Sequence, residues 1–207
     1  MEKHYYGAIA IFLKVKKVMK QILLLILLLI LTSCGQQTIS YKEISQRTEQ
    51  SKDVIKKFGL QLKSELQKSM KAGGPLQAIS VCHEQAPKIA KQLSLEAGWN
   101  IHRTSLKARA TKADAWETRI MQSFEQKHTN GDKFKTLFNQ DVVEVNGKAA
   151  FRFIQAIETK GMCLTCHGEN IAPVVAKKIA QLYPDDKAIG FKEGDIRGAF
   201  SIIQPLD

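Results

Sequence analysis

The 207-residue sequence has no apolar stretch long enough to cross a bilayer. Its longest unbroken run, Ile22 to Leu31, is about half of the ~20 residues a membrane-spanning helix needs. There is no internal repeat and no low-complexity tract outside that run, which sets aside repeat arrays. Like charges are not blocked together either. The formal net charge is +11, but Lys and Arg are scattered along helical segments without interleaved aromatics or a nucleic-acid motif. That excludes nucleic acid as the expected partner and leaves a solvated basic surface, suited to an anionic membrane or an acidic protein. Cysteine is scarce, four in all, so each can be accounted for separately.

The N-terminal region reads as an address label. Lys14, Lys16, Lys17 and Lys20 precede the apolar run, which ends at Leu31-Thr32-Ser33-Cys34. This is a charged region, an apolar region and a cleavage site that resembles a bacterial lipobox. Residues 1–33 are then a lipoprotein signal peptide, Cys34 is the lipidated N-terminus, and residues 34–40 are a polar tether. An uncleaved leader with Cys34 free, helped by Tyr5 to Leu13, is the alternative, and Met19 offers a second start. The location expected is extracytoplasmic, held to a bacterial membrane by acyl chains, two or more of which anchor stably. Five Lys and one Glu precede Cys34, so the mature chain carries about +7.

Residues 41–207 suffice for one domain. Ser40 and Glu43 have capping-box spacing, and Val54, Phe58, Leu62, Leu66 and Met70 recur every fourth residue, predicting a long amphipathic helix. Gly73-Gly74-Pro75 stops it and starts a second helix, with Leu76, Ile79, Cys82 and Ala86 on a core-facing stripe. Cys82 is expected to be buried. Pro87 should kink that helix or force a restart. A strand is predicted over Trp99 to Leu106, then a helix from the N-cap Asp114 to Asn130-Gly131, carrying Trp116, Ile120 and Phe124 on one face. Val142–Val145, Asn146-Gly147 and Ala149–Ile157 form a hairpin with a type I′ turn. A loop carries Cys163 to His167, followed by a helix over Val174 to Leu182 and a last strand over Gly194 to Ile203. This order gives an α+β fold with a small antiparallel sheet flanked by helices.

Cys163-Leu164-Thr165-Cys166-His167 has the spacing of a c-type haem attachment site. Two thiols separated by two residues can reach the vinyl groups on one side of a porphyrin. The imidazole of the next residue is then held against the iron. The cofactor expected is one covalently bound haem c on Cys163 and Cys166, with His167 as proximal ligand. The rivals are a thioredoxin-like redox pair, which lacks its βαβ setting, a zinc site of Cys82, Cys163, Cys166 and His167, and a Cys163–Cys166 disulfide that leaves His167 unexplained. Export agrees with haem c, which is attached outside the cytoplasm.

That accounting leaves Cys82 without an intramolecular partner in an oxidising compartment. It is either an inert core cysteine or a distal iron ligand. His83, His102, His128, Met70, Met121 and Met162 also compete for the sixth position. Of these, His83 adjoins Cys82, His102 suits a half-exposed strand position, and His128 suits a helix C-cap. Met70 and Met121 suit core packing, and Met162 stands too close to Cys163.

Four stretches together carry a resemblance: Ala78-Ile79-Ser80-Val81-Cys82 with Ala86-Pro87; Arg103-Thr104-Ser105 with Trp116-Glu117; the haem motif with Gly168; and Gly194-Asp195-Ile196-Arg197-Gly198-Ala199-Phe200. With these the chain resembles the bacterial Tll0287-like haem-binding domains. The resemblance implies a PAS-like α+β fold, covalent haem, His167 as one axial ligand and Cys82 as the other. Two places depart from the family pattern. Ala110-Thr111-Lys112-Ala113 is shorter and lacks a proline, and Ala156 stands where proline is expected.

A thiolate opposite histidine favours ferric iron, so the haem expected is six-coordinate and of low potential. One-electron transfer at the membrane surface with a redox partner protein is the first reading. A redox or gas sensor acting through a partner is the alternative. An enzyme such as a peroxidase would need an open iron position. A homodimer is compatible with all three.

Overall fold

In the computed structural model, which describes residues 39–206, Ser40 opens the first helix by accepting the Glu43 N–H on its hydroxyl at 3.2 Å. The leader, Cys34 and most of the tether lie outside the described residues. Helix α1, Tyr41–Ser80, makes only half of the expected capping box. The Glu43 carboxylate pairs with Arg47, 2.9 Å away, instead of turning back to the cap. The helix breaks where expected, with Gly73 at φ −149° and Gly74 at φ 65°, ahead of Pro75. Pro87 has the effect anticipated, through a device the periodicity could not show. The chain widens into a π-turn, Val81–Gln85, in which the Ala86 N–H reaches five residues back to the Val81 carbonyl. Helix α2, Ala86–Ala97, then resumes with the proline in its first turn, where a missing N–H costs nothing.

Strand β1 is Asn100–Thr104. It is shorter than expected, because the chain beyond Ser105 leaves the sheet. Helix α3, Ala115–Thr129, starts with a complete capping box between Asp114 and Glu117. Strand β2, Phe138–Val145, is longer than the predicted strand and turns at Asn146-Gly147 (φ 52° and 78°) into β3, Lys148–Glu158. Both positive φ values fit the type I′ turn. The segment predicted as a loop is ordered. A 3₁₀ turn, Gly161–Cys163, leads into the single helical turn α4, Leu164–His167. Helix α5, Pro173–Leu182, and strand β4, Ile196–Pro205, complete the fold.

The four strands form one antiparallel sheet in the order β1-β4-β3-β2. One face packs Ile101, Phe151, Phe153 and Ile202 against Ile55, Phe58 and Leu62 of α1, Val81 of the π-turn and Ala86 and Leu93 of α2. The other packs Ile154, Ile196 and Ala199 against Met121 and Phe124 of α3. A third cluster joins Ile79 at the end of α1 to Val175, Ile179 and Tyr183 at α5, with Cys166 against it. The architecture is therefore α+β, with a long N-terminal helix and a small antiparallel sheet flanked by helices. No helix among the described residues is long and apolar enough to cross a membrane.

Three expectations are corrected. Leu76 is 40% exposed, because the Gly73-Gly74 break rotates the following turn and only Ala78 and Ile79 reach the core. Cys82 is half-buried rather than sealed, since the π-turn displaces it from the α-helical stripe. His128 does not cap α3; its ring lies tilted at 54° against Phe134, with centroids 4.8 Å apart.

Candidate haem-attachment site

Four segments meet around the Cys163–His167 turn: the π-turn, the end of β1 with the stretch through Arg109, the chain from Asp186 to Phe191, and the start of β4. The turn is tight because Gly168 N–H donates to the Leu164 carbonyl at 2.9 Å. A side chain at Gly168 would put its Cβ 2.6 Å from that same oxygen. The Cys163 and Cys166 thiols are both free and half-buried.

His167 is oriented by the backbone. Its Nδ1–H donates to the Ala188 carbonyl at 2.7 Å, and its own carbonyl accepts the Phe191 N–H at 3.0 Å. The first bond fixes the tautomer and leaves the Nε2 lone pair available as a ligand. Burial, then the charges of Arg197 and Arg109, push the imidazole pKa down to about 2. The ring is therefore neutral throughout the physiological range, as a metal-ligating histidine must be. Nε2 faces Arg197 Nη2 at 3.4 Å.

Arg109 is the tie that sequence reasoning missed. Its Nε and Nη2 grip the two Asp186 oxygens at 3.0 and 2.9 Å, and Nη2 also donates to the Cys166 carbonyl at 2.7 Å. The pair is largely buried. Asp186 in turn accepts the Ala188 N–H at 2.9 Å, so one ion pair positions both the thiol turn and the carbonyl that holds His167. No local signal marks Arg109, because its partners lie 57 and 77 residues away.

Cys82, on the π-turn, lies near enough to this site to feel the Arg103, Arg109 and Arg197 charges and the Cys163 thiol. Burial pushes its thiol pKa up, while the Arg103, Arg109 and Arg197 charges pull it down and Cys163 adds to the rise. Cys166 is raised by burial and then by Cys82. Tyr183, also at the site, is pushed up to about 12, chiefly by burial and by Cys82. Burial likewise lowers Arg103, and it lowers Arg197 to about 10 with help from Arg109 and Arg103.

The other candidate ligands lie elsewhere or are occupied. His83 is exposed and stands edge-on to Tyr183 at 5.2 Å. Both His102 nitrogens are engaged, by Asn100 and Glu117 at 2.8 Å each. Met121, on α3, is buried in its contact with the sheet, and Met162 is exposed. His128 lies at the far end of α3 and Met70 on α1. Among the described residues no three His, Cys, Asp or Glu side chains converge as they would around a single ion. Cys82, Cys163, Cys166 and His167 are thus separated donors rather than a closed tetrahedral zinc cage. Separated thiols and an imidazole fit a broad planar group better than one metal ion. The buried Arg197 Nε, which has no hydrogen-bond partner, fits a group that also brings acceptors. At the two departures from the family pattern, Lys112 bridges to Ser105, and Ala156 donates its N–H to the Leu137 carbonyl at 2.9 Å, a bond that a proline there would forfeit.

A helix-flanked antiparallel sheet with a Cys-x-x-Cys-His turn after its third strand defines a small α+β module. The chain belongs to the Tll0287-like family, whose family model matches residues 36–205. Among solved structures it is similar to the cyanobacterial haem protein Tll0287, with a TM-score of 0.59 and 20% identity over 82% of this chain and 98% of that one. At that identity the likeness shows the fold. No curated protein matches the chain.

Proposed function

We propose that this chain is a haem protein: a lipid-anchored, extracytoplasmic, monohaem c-type cytochrome that passes single electrons. The observation that carries the proposal is the pairing of two free thiols on one helical turn with a neutral His167 whose Nδ1 is held by Ala188. The family and the haem-protein neighbour support it. Cys163 and Cys166 would hold the haem through thioethers, with His167 Nε2 and the Cys82 sulfur as axial ligands. Bound haem would supply a one-electron iron couple, kept at low potential by the thiolate. The chain's own residues orient the imidazole through Arg109, Asp186 and Ala188, and partly exclude water through Tyr183, Ile79 and Val175. The lipid at Cys34 would keep the domain beside a membrane redox partner.

The π-turn under Cys82 favours a second reading. Such turns are insertions frequent at functional sites, and one that carries a ligand could release it, as a redox or gas sensor requires. The test is spectroscopic. The purified protein should give a c-type pyridine haemochrome, and its six-coordinate ferric and ferrous states should ignore CO and NO. Gas binding on reduction would favour the sensor. Cys82→Ala should move the ferric Soret band, and an unmoved band would remove Cys82 from the iron.

A further inference from the structure

Three arginines surround the site, and they are not equivalent. Arg109 is fully partnered by Asp186 and by carbonyls. Among the described residues, Arg103 and Arg197 have no carboxylate partner. The Arg103 guanidinium lies over the Phe58 ring at 5.7 Å. That of Arg197 lies over Phe191 at 5.0 Å, with Nη1 donating to the Ser105 hydroxyl at 3.3 Å and Nε buried and unpartnered. Both arginines are half-buried, aromatic faces and a hydroxyl do not neutralise a cation, and a buried guanidinium nitrogen left without an acceptor, as Arg197 Nε is, is costly. Arg197 Nη2 also faces the Nε2 lone pair of His167, which cannot serve both an arginine and an iron. Once iron takes that lone pair, Arg197 has a further donor to place.

The backbone makes room for this. Gly198, at φ 155°, sits where a Cβ would meet the Thr104 carbonyl at 2.3 Å. The β3–β4 register shifts at this point, opposite Ile157 and Glu158, which re-aims Arg197 from the regular alternation of the strand.

We infer that Arg103 and Arg197 form a carboxylate-binding pair that holds the two propionate groups of the haem. The inference rests on the haem reading above. Two guanidinium groups without carboxylate partners beside the proposed iron ligands match two carboxylates in number and charge, and guanidinium is the side chain best shaped to grip a carboxylate with two parallel bonds. The same chemistry could come from small anions of the buffer, and the test separates the two sources.

The test uses haem-loaded protein with Arg103→Gln, Arg197→Gln, and the charge-keeping Arg103→Lys and Arg197→Lys. Resonance Raman should show the propionate bending modes moved in each glutamine variant. The glutamine variants should also shift the ferric–ferrous equilibrium toward ferric by about tenfold, or about 59 mV for one electron. The lysine variants should restore most of the potential but not the wild-type propionate modes, because a point charge lacks the fork. Unmoved propionate modes in both arginine positions would overturn the assignment. So would a wild-type potential that follows chloride or acetate concentration at constant ionic strength, since the anion would then come from solution. If a glutamine variant fails to fold, its lysine counterpart still decides through the propionate modes. Failure of the haem reading would look different, as wild-type protein without a haemochrome.

Discussion

His102 and Arg103 are consecutive residues of β1, and strand alternation sends them to opposite faces of the sheet. Their surroundings could hardly differ more. On the α3 face, His102 bonds Glu117, Glu117 accepts from Arg152 at 3.2 Å, and Arg152 reaches Asp114 at 2.8 Å while lying under the Trp116 ring. Every charged side chain there has an opposite or hydrogen-bonding partner, although the Arg152 Nε itself has none. On the α1 face, Arg103 and Arg197 add positive charge that, among the described residues, no carboxylate pairs directly; Asp186, which acts on Arg197 from further off, is already gripped by Arg109. The closed network is explained by the fold alone, since it ties the start of α3 to the sheet. The open one is not, and so it points outward to a ligand. Buried charge marks a site here only where its partners are missing.

The sharpest way to break that comparison is to remove the hub of the closed network. Glu117 is buried and serves His102, Arg152 and the Asp114 N–H together. Glu117→Ala should cost about 3 kcal/mol in urea unfolding, because it strips a buried partner from Arg152. It should leave the Soret band of the folded protein unchanged, and a spectral change would join the two clusters that we separate. Arg103→Gln should do the reverse in protein lacking the proposed haem-attachment thiols (Cys163→Ala, Cys166→Ala). With no propionate to meet, losing an unpaired, half-buried charge should raise the unfolding free energy by about 1 kcal/mol, read as a higher urea midpoint at unchanged slope. A lower midpoint would mean that Arg103 is already satisfied.

Acid sharpens the contrast further. Burial raises the Glu117 carboxyl, but hydrogen bonds from His102 and the Asp114 N–H, with the His102 charge, outweigh it and bring the pKa from 4.5 to about 2. A carboxyl depressed on folding gives stability that is whole above the unfolded value and drains away as pH falls through the folded one. The thermal midpoint should therefore decline between about pH 4.5 and 2 more steeply in wild type than in Glu117→Gln. Equal slopes would show that the network does not hold the charged form.

The closed network and the open site were unequally legible in the sequence. Asp114 signals its N-cap, though not the capping box it completes with Glu117, Asn146-Gly147 signals its turn, and Cys163 to His167 its chemistry, because each lies within five residues and uses side chains with narrow roles. Long-range ties give no such signal. The 77-residue separation of Arg109 and Asp186, the pairing that extends β2 back to Phe138 opposite Gln155, and the orphaned Arg197 depend on which strands become neighbours. Pro87 announced a break in the helix but not its form, and the π-turn that results is what sets Cys82 half-open to the site. The exposure of Leu76 has the same origin, since a helical stripe drawn through Gly74 assumes a regularity that φ 65° destroys.

The smallest effect should arise at Ser105, which stands at the rim of the open site. Its hydroxyl donates to the Arg197 carbonyl at 2.9 Å and accepts from Arg197 Nη1 at 3.3 Å, so it holds both ends of the residue whose Nε is unpartnered. Ser105→Ala removes two hydrogen bonds but no charge, and the cost should be about 1 kcal/mol, much less than at Glu117. Its consequence for the haem should be larger than its consequence for the fold. A freer Arg197 would grip its carboxylate less firmly, broadening the propionate modes while the potential stays near wild type, because the cation remains. A Ser105→Ala protein with wild-type Raman modes would show that Arg197 is positioned by the Gly198 backbone alone, leaving Ser105 only the ordinary work of closing the end of β1.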